Sequence, residues 1–75
     1  MTIDEGYILS NKFRRVIFDE IATGENNIMH IAKKHRIIKT VALRVADDFI
    51  KGGIVEKKDN KYVLTEEGEK LSQKL

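Results

Sequence analysis

Seventy-five residues, 41% hydrophobic and 35% charged, are enough for one domain and leave no room for a second core. The absence of cysteine excludes disulfides and thiolate metal centres and fits a reducing compartment. No apolar run approaches the roughly 18 residues of a membrane span, and MTIDEGYILSN is acidic where a signal peptide is basic, so the chain reads as mature, soluble and cytoplasmic.

Residues 1–9, MTIDEGYIL, show little periodicity. Ile3, Tyr7, Ile8 and Leu9 are nevertheless too apolar for a free tail, so this segment is expected to dock on the domain or on a partner subunit. Ser10 or Asn11 can cap a helix over Lys12–Ala22, because a short polar side chain accepts from the first free backbone N–H groups. Phe13, Val16, Ile17 and Ile21, with Phe18 beside them, recur at helical spacing and are expected to be buried. Gly24 lies just past the helix end, where a left-handed residue is favoured. GENN then makes a turn, and Asn26 or Asn27 caps a helix from Ile28 to about His35 with Ile28, Ile31 and Ala32 on one side.

A tight turn near Arg36 and Ile37 leads into a helix from about Lys39 to Lys51. Ile38, Ala42, Val45, Ala46 and Phe49 recur at three- and four-residue steps and gather on one face. Lys39, Thr40, Leu43, Arg44 and Asp47 are left on the other. Gly52-Gly53 ends the helical pattern. Ile54–Lys58 and Lys61–Leu64 are β-prone runs around Asp59-Asn60, a pair that favours positive φ and closes a tight hairpin. A lone hairpin is marginal in water, so this one must lie against the helices. Thr65 can cap a last helix, whose apolar stripe is only Leu71 and Leu75, an edge contact or a dimer seam. Gly68 inside it costs about 1 kcal/mol relative to Ala, which a close backbone approach would explain. The fold class is mainly α with a small β-hairpin, in one domain over residues 1–75: a helix pair at about 28–51, a hairpin at about 54–64 and a C-terminal helix at about 65–75.

The net charge of +2 is unevenly spread. Residues 33–64 hold nine basic and four acidic side chains, whereas residues 1–32 hold three and five. Lys33, Lys34, Arg36, Lys39 and Arg44 follow one another with no acidic residue between them, as a polyanion-facing surface requires. A helix that buries one side and offers the other beside a basic turn suits a DNA groove reader. Arg44 can pair bidentately with guanine; its alternative is a salt bridge to Asp47 or Asp48. Thr40 suits a helix cap or a phosphate better than a base edge. Lys57, Lys58 and Lys61 cluster around the hairpin turn as phosphate contacts, or else as charges that protect an exposed strand edge.

His30 and His35 stand five apart and do not share a helical face as a zinc-binding i, i+4 pair would, so no metal site is expected. Carboxylates occur as sequence neighbours, which point apart on a helix, and no nucleophile motif or phosphate-cradling glycine loop is present. No enzymatic activity and no cofactor are expected. So short a chain buries only about 60–65% of its unfolded surface, and oligomerisation is the remaining supplement; a homodimer is expected.

Three stretches carry a family resemblance: LSNKFRRVIFDEIATGE (Leu9–Glu25), IAKKHRIIKTVALRVADDFIKGGIVEK (Ile31–Lys57) and KYVLTEEGEKL (Lys61–Leu71). Together they resemble winged helix-turn-helix domains, most of all the small regulators of the MarR and ArsR-like groups, compact archaeal ones included. The resemblance implies transcriptional regulation through double-stranded DNA, with the Lys39–Lys51 helix in the major groove and the hairpin, or wing, along the backbone. Carried over by position, Lys39, Thr40, Val41, Leu43 and Arg44 would face the bases, Arg36 a phosphate, and Lys57, Lys58 and Lys61 the backbone beside the wing. Val41 and Leu43 stand where the family has small polar residues, and Asp47 adds a negative charge to the outward face. Those departures keep a second reading open, a winged-helix adaptor that binds protein rather than DNA. A small-molecule effector is not expected, because little space exists for its pocket.

Overall fold

The computed structural model describes residues 3–75. In chain order its elements are α1 (Glu5–Leu9), α2 (Lys12–Ala22), α3 (Ile28–His35), α4 (Lys39–Lys51), β1 (Val55–Lys58), β2 (Lys61–Leu64) and α5 (Glu66–Lys74). The pattern of apolar residues does not announce α1, since five residues are too few to display a helical period. Asp4 starts it, its carboxylate accepting from the Tyr7 N–H at 3.0 Å. The apolar lead-in docks on its own domain. Ile8 is fully buried, and the Arg14 guanidinium lies 3.8 Å from the Tyr7 ring centre while donating to the Tyr7 carbonyl at 3.2 Å.

Asn11 caps α2 by accepting from Phe13 and Arg14. The inward stripe of α2 is Ile17, Phe18 and Ile21. Phe13 departs from expectation, being 39% exposed. Two overlapping stripes are legible in this helix, and the folded chain uses the one through positions 14, 17, 18 and 21, on which Phe13 lies one step off. Asn27 caps α3. Arg36 then takes a left-handed conformation (φ 55°) and returns its N–H to the end of α3, so that Ile37 turns inward and is buried. A non-glycine residue there carries a modest steric penalty.

On α4, Ala42, Val45, Ala46 and Phe49 are buried as their spacing requires. Ile38 is not; it occupies the N-cap at φ −59°, ψ 132°, outside the helical spiral, and is 70% exposed. Thr40 therefore lies inside the first turn and does not cap, and no side chain caps this helix. In the hairpin Lys57 pairs with Tyr62 and Lys58 with Lys61. Asp59 and Asn60 both have positive φ, 50° and 67°, as a two-residue type I′ loop needs. The Tyr62 N–H donates to the Asn26 carbonyl at 2.9 Å, stitching the wing to the α2–α3 loop. Thr65 caps α5 and donates to the Gly53 carbonyl at 2.6 Å. Leu71 is buried and Leu75 is not. The core is closed between α2 and α4 by Phe18 and Phe49, edge to face at 5.9 Å between ring centres.

Candidate nucleic-acid interface

Because α4 buries its apolar stripe, its other side is an outward row of Lys39, Thr40, Leu43, Arg44 and Asp47, all exposed. Val41 is half-buried, packed against the core edge, so it borders this row without belonging to it. The helix begins without a capping side chain, whereas α1, α2, α3 and α5 begin with Asp4, Asn11, Asn27 and Thr65 accepting their first N–H groups. The first backbone donors of α4 are thus left without a side-chain acceptor, at the positive end of the helix dipole.

Among the described residues no ion pair holds Arg36, Lys39, Arg44, Lys57 or Lys61. Arg44 does not bridge to Asp47 or Asp48. Asp47 instead pairs with Lys51 at 3.0 Å, toward the far end of the helix, and that carboxylate holds the Lys51 pKa above its usual value. The negative charge on the outward face of α4 is therefore matched where it stands.

The wing lysines divide. Residues opposite one another across a hairpin share a face, so Lys57 lies on the Tyr62 side, toward the helices, its ammonium 5.6 Å from the ring centre. Lys58 and Lys61 lie on the other face, and Lys58 is bonded to Glu56 at 3.2 Å. The inward position of Lys57 closes a shallow cleft of about 370 Å³ between wing and helices, lined by Lys39, Leu43, Lys57 and Asn60 with Asn27 and Met29 on its α3 wall. The sequence reading missed Asn27, Met29 and Asn60. Asn27 and Asn60 were legible only as a cap and a turn, and nothing in the spacing brings them together. Thr40, Arg36, Arg44, Lys58 and Lys61 lie outside that lining.

Lys34 is drawn off the basic run. Glu20 on α2 bonds Lys34 at 2.9 Å and His35 Nε2 at 2.5 Å, tying the last turn of α3 to α2. Those hydrogen bonds, the one from Lys34 first, hold the Glu20 carboxyl below its ordinary pKa against the opposing effect of desolvation. His30 bonds Glu25 at 3.1 Å. Neither histidine belongs to a group of potential metal ligands among the described residues, and no helix there is long and apolar enough to cross a membrane.

A three-helix core, a two-stranded hairpin stitched against it and a closing helix define a winged-helix fold. The crystal structure of quinone-bound YodB from B. subtilis shares that fold, with a TM-score of 0.74 over 91% of this chain and 78% of that one, at 22% sequence identity. No protein-family model and no curated protein matches the sequence.

Proposed function

We propose that this chain binds double-stranded DNA as a transcriptional regulator, with α4 in the major groove and the wing along the backbone, and that it does so as a homodimer without enzymatic activity. The observation that carries the reading is the cleft in which Lys39 and Leu43 of α4 face Lys57 and Asn60 of the wing. Two unpaired ammonium groups from separate elements, beside uncapped helix N–H groups, fit phosphates better than they fit an apolar partner. Leu43 can contact a thymine methyl but makes no hydrogen bond to a base edge, so base readout falls to Arg44.

Fluorescence anisotropy of random duplex DNA at several salt concentrations tests this. The expected result is affinity on the order of micromolar to 100 µM near physiological salt, with log K falling by about 0.9 per phosphate neutralised. Lys57→Ala should flatten that slope, whereas Lys58→Ala, already paired with Glu56, should change it less. No binding at low salt from a folded sample would sink the reading. Arg44→Ala is expected to cost about 1–3 kcal/mol on a selected operator and much less on random DNA. Equal losses on both would make Arg44 a phosphate contact.

One observation favours the adaptor reading. Ile38 and Leu43, 70% and 37% exposed, put apolar surface on and beside the reading face. Absent DNA binding, with the protein folded, would turn that surface into the working hypothesis. The quinone in the YodB structure weighs against the expectation that no effector acts here, so the titrations are run with and without an added quinone. A shifted affinity would add ligand gating to the proposal.

A further inference from the structure

We propose that Leu43 reads the C5-methyl group of a pyrimidine in the major groove, so that thymine and 5-methylcytosine are both favoured over uracil and cytosine, which lack it. The inference deepens the DNA reading and rests on it. Leu43 is the apolar member of the outward row of α4 and is 37% exposed. That row is two lines. Lys39 and Leu43, one turn or about 6 Å apart along the axis, line the cleft toward the wing, and Met29 joins them from α3. Thr40 and Arg44 run beside them, outside the cleft. Ile38, though 70% exposed, precedes the first turn of α4 and does not line the cleft.

The cleft side of α4 therefore presents a cation one turn before an apolar tip, and Lys57 of the wing lines the same cleft. Neither ammonium is held by an ion pair among the described residues. With phosphates on the two lysines, Leu43 is left against a base edge, and desolvation decides which edge suits it. Purines present N7 with O6 or N6, and cytosine presents its N4 amino group. All of these lose water against an aliphatic side chain and gain no hydrogen bond. The thymine methyl is the apolar group of the major groove, and 5-methylcytosine carries the same methyl on the same ring carbon. Burying one such group is worth a factor of about four in affinity. Arg44 keeps the readout by hydrogen bond, and Leu43 adds a methyl readout to it. Methylation of a cytosine at the position Leu43 meets would then strengthen binding rather than block it.

The test is fluorescence anisotropy with four alternating duplexes at low salt: A·T, the same sequence with uracil for thymine, G·C, and the same sequence with 5-methylcytosine for cytosine. Within each pair the hydrogen-bonding groups are identical and only the methyl differs. The unaltered chain is expected to bind each methylated duplex about three- to fivefold more tightly than its partner. Leu43→Ser should erase both preferences. It should leave the salt slope unchanged, because that slope counts phosphate contacts and leucine makes none. Circular dichroism confirms that the variant is folded. A Leu43-dependent preference within one pair alone upholds the methyl contact and names its source. Equal affinities within both pairs would overturn the proposal while leaving DNA binding intact. A preference that survives in Leu43→Ser would also overturn it, by assigning the effect to the shape of the duplex. No binding to any of the four duplexes would instead be the failure of the DNA reading itself, and the methyl contact would fall with it.

Discussion

Phe49→Ala is expected to destabilise the protein by about 3–5 kcal/mol, the usual range for a buried phenylalanine. A chain of this length has a total stability of roughly 4–11 kcal/mol, so the loss takes a large part of it and could take all. Phe49 is fully buried on the inner side of α4 and meets Phe18 of α2 edge to face at 5.9 Å. It is therefore the hinge pin between the helix that carries the outward row and the helix behind it. At about 4–8 °C per kcal/mol for a domain of this size, the melting temperature should fall by more than about 12 °C, read by circular dichroism. Leu43→Ala on the same helix is the contrast: a side chain 37% exposed, whose loss should change stability by less than about 0.5 kcal/mol. Similar stability losses for the two variants would mean that α4 is held by its outward face, against the burial pattern.

That burial pattern is where sequence and structure agree best, and the reasons are local. The bounds of α2, α3 and α4 follow from caps and periodicity that neighbouring residues carry themselves: Asn11 and Asn27 before the helices, Gly24 after α2, and apolar residues at three- and four-residue steps. The hairpin was legible because Asp59-Asn60 is a two-residue loop with its own φ preference. What the sequence hid depends on distance in the chain or on geometry finer than a period. Phe13 and Phe18 both satisfy a helical stripe on α2, and only the position of α4 chooses between them. Ile38 fits the spacing of α4 but precedes its first turn, so the count begins one residue too early. The three wing lysines look equivalent in sequence until strand pairing sends Lys57 to one face and Lys58 and Lys61 to the other. The tie from Glu20 to Lys34 and His35 joins residues 14 and 15 apart, beyond the reach of any periodicity argument.

Gly68→Ala inverts the ordinary rule for helices and is the more discriminating of the two stability experiments. In an exposed helix interior, Ala in place of Gly stabilises by about 1 kcal/mol. Here a Cβ at position 68 would lie 2.0 Å from the Ile54 carbonyl oxygen and 3.0 Å from its carbon, whereas carbon–oxygen contacts settle at about 3.3–3.6 Å. The obstacle is backbone and it is anchored. The same Ile54 carbonyl accepts from the Thr65 N–H at 3.0 Å, and the Thr65 hydroxyl is bonded to Gly53 next to it. Moving Ile54 aside breaks the start of α5, and moving α5 aside uncovers its buried Leu71. The expected outcome is a destabilisation of about 1–3 kcal/mol, seen as a lower denaturation midpoint. Gly52→Ala supplies the control. Its Cβ would also meet an atom at 2.0 Å, but that atom is the tip of the Ile3 side chain, which can rotate away, and Gly52 has a right-handed helical φ of −80°. Near-neutral Gly52→Ala beside a costly Gly68→Ala would place α5 against the root of the wing. A Gly68→Ala variant as stable as the parent or more so would mean that α5 stands off from Ile54.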